Sequence, residues 1–139
     1  MPAWNDTNLK SLAAQVRSGL FFGHVRATTG TPVIKVNCHP FTYGRYLFMH
    51  NGVIGGFSKV RRALTMAIAP ELFPELQGTT DSEVFFLLLL TRGLENDPET
   101  AFAQTVALVE TEMKAAGVTD HFAMTAAVSD GETIYALRY

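Results

Sequence analysis

An α+β layered domain is the fold class this sequence predicts, and three observations carry it. Strand-like segments fall in two groups, one before residue 51 and one after residue 120, with helical periodicity between them. Thr80-Asp81-Ser82-Glu83 has the form of a capping box and leads into an apolar run. Asp130-Gly131 separates two strand-like segments near the C-terminus, as in a type I′ hairpin. The 139 residues fit one domain, 1–139, large enough for its own core.

Each element has its own cause. Asp6 can cap a first helix whose apolar stripe is Leu9, Leu12, Ala13 and Val16, and Gly19 stops it. Residues 20–27 read as a strand, with Leu20, Phe22, His24 and Arg26 on one face. Residues 28–43 hold glycine, prolines and turn formers, so a loop is expected. Residues 46–50 form the next strand. A second helix is expected over 58–68, with Val60, Leu64, Ala67 and Ile68 inward, before Pro70 and Pro74 break the chain. The helix opened by Thr80 should run to Arg92 and stop at Gly93. Asp97-Pro98 opens another, ending near Ala116 before Gly117. Residues 121–129 and 132–139 are the final strands.

Composition narrows the function classes. Hydrophobic residues make up 47% and charged residues 17%, which describes a globular protein and not a disordered one. A net charge of −2 provides no basic field for nucleic acid. The apolar run 84–90 is too short to span a bilayer, and the N-terminus lacks the basic and apolar regions of a signal peptide. One cysteine forbids an intrachain disulfide. A cytoplasmic protein without nucleic-acid or membrane partners is the resulting expectation.

The chemistry begins at His50-Asn51-Gly52. Asn51 can aim a side-chain N–H at a developing negative oxygen, and Gly52 can offer its backbone N–H with no Cβ in the way. The same dipeptide also suits a plain hairpin turn. The four histidines show no zinc-ligand spacing, and no glycine-rich phosphate loop is present, so neither metal nor cofactor is expected. Cys38 offers a rival nucleophile with His24, His39 or His50 as base, though adjacent side chains of an extended chain point apart.

Four motifs occur in order: Gly23-His24-Val25-Arg26-Ala27-Thr28-Thr29-Gly30, Asn37-Cys38-His39-Pro40-Phe41, His50-Asn51-Gly52 and Gly78-Thr79-Thr80-Asp81-Ser82-Glu83. In this register the chain resembles the class II glutamine amidotransferases, which are N-terminal-nucleophile hydrolases, and in particular their small stand-alone bacterial branch. The resemblance covers nearly the whole chain. It implies part of a four-layer αββα sandwich and a substrate that is L-glutamine or a γ-glutamyl compound. It assigns Arg26 to the substrate carboxylate, which a guanidinium can grip with a bidentate fork. Asp81 is assigned to the α-ammonium, a role compatible with a carboxylate stabilised in the first turn of a helix. Asn51 and Gly52 become the oxyanion donors, while Thr29 and His39 line the pocket.

One part of the family pattern is missing. Members attack glutamine with an N-terminal cysteine whose own amine serves as base, whereas this chain opens Met1-Pro2-Ala3-Trp4. The chain therefore reads as a fragment truncated at both ends. Its complete form would hydrolyse the amide through a γ-glutamyl thioester. The alternative is a non-catalytic, degenerate glutamine-binding or interaction module. Exposed strand edges make self-association into a homo-oligomer an expectation as well.

Overall fold

In a computed structural model of the chain, residues 5–25 and 34–139 are described. Their core is built by one helix. α3, Asp81–Thr91, buries every residue from Ser82 to Leu89, so it is apolar all round and must be wrapped on all sides. α2, Phe57–Met66, and α4, Pro98–Ala115, pack against it and against each other. A four-stranded antiparallel sheet covers another side, in the order β1, Phe41–Tyr43; β2, Tyr46–Ile54; β3, Phe122–Ser129; β4, Ile134–Arg138. Phe48 of β2 joins the layers by stacking on Phe86 of α3, with ring centroids 5.2 Å apart and planes 4° from parallel. Phe48, Ile54, Met124 and Val128 are fully buried on that face.

The α+β class expected from the sequence is present, as helices on one face of a sheet. These are two of the layers of the αββα sandwich. The caps agree closely with expectation. Thr80 Oγ1 accepts from the Glu83 N–H at 3.2 Å, and Asp97 accepts from the Thr100 N–H at 3.0 Å. Gly93 ends α3 at φ 83°, where Leu94 N–H bonds to Leu89 C=O and Gly93 N–H to Leu90 C=O, a Schellman closure. The Thr80–Glu83 box is half formed, however. The Glu83 carboxylate accepts from Gln77 and Gly78, and not from Thr80.

Four other expectations are corrected. Residues 20–25 form no strand, because no neighbouring strand pairs with them; Arg26 and Ala27 lie outside the described residues. α1, Thr7–Gln15, forms under its Asp6 cap, but its stripe meets no partner among the described residues, with Leu12 58% and Val16 60% exposed. The 28–43 loop ends early in β1, preceded by a 3₁₀ turn over Lys35–Asn37. The last hairpin turns through four residues, 130–133, because Ser129 pairs with Ile134. There the Asp130 carboxylate accepts from the Glu132 and Thr133 N–H groups at 2.9 and 2.8 Å, an Asx-type turn in place of type I′.

Candidate active site

β2 is longer than its sequence pattern suggested, and the extension forms the site. Asn51 pairs with Thr125 and Gly52 with Met124, well inside the β2–β3 ladder. The hairpin-turn reading of Asn51-Gly52 is thus excluded; the turn lies at Gly44-Arg45, between the paired Tyr43 and Tyr46. β1 covers β2 only as far as Phe48. Beyond it the main-chain groups of His50, Gly52 and Ile54 turn away from β3, by the alternation of an antiparallel ladder, onto an edge that no strand pairs with among the described residues. His24 Nε2–H donates to the His50 carbonyl there at 3.1 Å, and the Ile54 N–H donates to Asp81 Oδ2 at 2.9 Å. Gly52 lies between these two.

Only glycine fits that position. Gly52 has φ 154°, and a Cβ on it would sit 2.0 Å from the Ala123 carbonyl oxygen and 2.8 Å from His50 Nε2. The chain therefore passes close against β3 while its N–H faces the open edge.

The edge opens into a cleft of about 420 Å³ whose lining includes His24, His39, Asn51, Gly52, Phe57 and Asp81. Four residues singled out from the sequence, His39, Asn51, Gly52 and Asp81, thus converge from three separate segments. Arg26 and Thr29 lie outside the described residues; their neighbour Val25 lines the cleft. His39 stacks on His24 with centroids 4.2 Å apart and meets the Phe41 ring edge-on at 4.8 Å. Cys38 is exposed and lines a neighbouring groove with Lys35 and Glu83, outside this cleft. The Cys38 nucleophile reading therefore loses its geometry.

Two motifs are joined beneath the cleft floor. Asn37, fully buried, accepts from the Thr79 N–H at 2.9 Å and donates to Thr79 Oγ1 at 3.2 Å. Gly78 makes room for this contact, since a Cβ there would come within 2.5 Å of Asn37 Oδ1 and 2.7 Å of Glu83 Oε2. Burial pushes the Glu83 carboxyl above its ordinary range, against the opposing hydrogen bonds from Gln77 and Gly78 and the charge of Arg61. The 3₁₀ turn carrying Asn37-Cys38-His39 is thereby fastened to the start of α3.

Asp81 sits in the first turn of α3, half-buried, where the helix dipole favours a negative charge. Its oxygens accept from Ile54 N–H and, at 2.8 Å, from Ser82 N–H. Oδ2, with one donor, retains capacity for a further donor from the cleft. His50 is buried on the helix face of β2, with Nδ1 hydrogen-bonded to Ser82 Oγ at 2.9 Å. Burial holds its pKa below the ordinary value, with Asp81 and the Ala123 carbonyl opposing and His24 adding to the depression. Asn37 and Ser82 lie within the motifs read from the sequence but were given no role there, and His50 was offered only as a base for Cys38, because their supporting contacts are tertiary.

Comparisons with known proteins identify the family. The profile of the family described as Glutamine amidotransferases class-II matches residues 5–139. The chain is 48% identical over 89 residues to the probable glutamine amidotransferase DUG3 of Saccharomyces cerevisiae, covering 64% of this chain and 25% of that protein. It is 33% identical over 95 residues to the gamma-glutamyl-hercynylcysteine sulfoxide hydrolase of Mycolicibacterium smegmatis, covering 68% of this chain and 37% of the relative. A solved glutamine aminotransferase class-II domain protein from Silicibacter pomeroyi matches 100% of this chain and 58% of its own length, with a TM-score of 0.86 and 49% identity. The chain thus spans a minor part of these two curated relatives.

Proposed function

The chain belongs to the class II glutamine amidotransferase family, and from that premise we propose that its cleft binds glutamine, or the glutamine-like end of a γ-glutamyl compound, and presents the side-chain amide for hydrolysis. The observation that supports this most is the spacing of groups along the part of β2 that β1 does not cover. An N–H donor at Gly52 and a carboxylate at Asp81 face one cleft, with Ile54 hydrogen-bonded between them. Asp81 takes the substrate ammonium, and Arg26 takes its carboxylate. Gly52 N–H and the Asn51 amide receive the carbonyl oxygen as it gains charge. Where the polypeptide supplies the family's N-terminal cysteine, the thiolate adds to the amide carbon. The tetrahedral oxyanion collapses with loss of ammonia, and water cleaves the thioester to glutamate.

Calorimetric titration separates binding from turnover. L-Glutamine should bind the 139-residue chain saturably, and L-asparagine, one methylene shorter, should bind at least about tenfold more weakly. Asp81→Asn should weaken glutamine by about tenfold or more, since it removes the ammonium's charged partner. Equal affinity for both amino acids, or an unaffected Asp81→Asn variant, would overturn the assignment.

A further inference from the structure

We propose that His50 is a positioning residue that ties the amide end of the cleft to its ammonium end, an inference that rests on the glutamine reading above. The two ends belong to different elements. Gly52 is on β2, past the point where β1 supports it, and Asp81 is on α3. Glutamine has a fixed length, so a donor and an acceptor that move independently would hold it in the wrong geometry. Productive sites keep such groups within about 0.5 Å.

A closed circuit of contacts runs through the His50 ring. Nδ1 is hydrogen-bonded to Ser82 Oγ at 2.9 Å. Ser82 Oγ–H lies 3.4 Å from Asp81 Oδ1 as a donor. Asp81 Oδ2 accepts from Ile54 N–H at 2.9 Å, and β2 leads back from Ile54 through Gly52 to His50. On its other side, ring atom Nε2 lies 2.8 Å from where a Gly52 Cβ would be, so the imidazole occupies the space beneath that glycine. The His50 carbonyl meanwhile accepts from His24 at the open edge. One residue thus contacts both walls, through its ring and through its carbonyl. A phenylalanine or leucine would fill the space but cut the side-chain link from β2 to Ser82, leaving Asp81 tied to the strand through the Ile54 N–H.

Two readouts test this in the 139-residue protein: hydrogen exchange of the Ile54 amide and calorimetric affinity for L-glutamine. His50→Leu should speed Ile54 exchange by about tenfold, the loss expected for a buried hydrogen bond in a network, while the amide of Val109 in α4 keeps its wild-type rate. Glutamine affinity should fall by a similar factor. His50→Asn, whose amide reaches the place of Nδ1, should restore most of both. Phe48→Leu, a core change on the same strand, should leave affinity within about twofold. Should His50→Leu fail to fold, Ser82→Ala cuts the same link from α3 and should give the same Ile54 exchange. Unchanged Ile54 exchange in these variants, or an Asn variant no better than Leu, would reduce His50 to packing. If the wild type binds no glutamine, the functional reading falls, and the exchange comparison still decides what His50 does.

Discussion

Asn51 and Gly52 are neighbours with opposite sensitivities. Asn51 is exposed, and its side chain stands on the sheet face away from α3. Asn51→Ala should leave unfolding free energy within about 0.5 kcal/mol, as for other surface changes. In a form carrying the N-terminal cysteine it should lower kcat by about 10²–10³, the usual loss for one oxyanion donor. Gly52→Ala should do the reverse first, costing about 2–4 kcal/mol because its Cβ would collide with the Ala123 carbonyl in a left-handed conformation. Urea denaturation and ammonia release measure the two effects. A kcat for Asn51→Ala within about threefold of the parent would remove Asn51 from the reaction. The residue types at this site were legible in the sequence; the reason for Gly52 was not, since Ala123 lies across a ladder that no local pattern specifies.

The start of α3 shows what a capped element does with a buried acid. Glu83 is held above its ordinary pKa of 4.5 chiefly by burial. The fold therefore prefers the protonated carboxyl. Its contribution to stability is complete below the ordinary value and is lost as pH rises through the raised one. Wild-type stability relative to Glu83→Gln should accordingly fall as pH rises above 4.5 and through the raised carboxyl pKa; a constant difference in urea midpoints would refute this. α1 behaves oppositely, since it has a good cap and no buried residue. Leu12→Ser with Val16→Ser should change stability by less than about 0.5 kcal/mol, which differential scanning calorimetry would show as a nearly fixed Tm. These two helices mark the limit of sequence reading at this scale. N-cap residues are local and Asp6, Thr80 and Asp97 were read correctly, though the Glu83 half of the box was not; a stripe at helical spacing says nothing about whether a partner is there to bury it. The strand expected over 20–27 fails for the same reason, as alternation supplies a face but not a neighbour.

At the scale of the molecule, among the described residues, helices pack on one side of the sheet only. Its other side carries Val53, 41% exposed, and Ile134, 51% exposed, and register sets Met49 beside Ala127 on that same face. An apolar face of this kind favours association. Light scattering at micromolar concentration should report a dimer or larger species, and Val53→Lys with Ile134→Lys should shift it toward monomer. A stable wild-type monomer would show that the face is soluble as it stands. Fold class and helix order could be read from the sequence because helical periodicity and caps are local signals. The pairing of β2 with β3 could not, since it joins residues as far apart as Leu47 and Ser129.

That distance along the chain has a temporal consequence. β1–β2 and β3–β4 are hairpins that can close early, each from neighbouring residues. Their union must await the intervening helices, because closing a long loop costs entropy before any contact repays it. Gly52 meets Ala123, and Asn51 meets Thr125, only at that seam. The cleft is consequently among the last parts of the protein to come into being as the chain folds, and a chain arrested just before would hold its helices yet have nowhere to place a ligand.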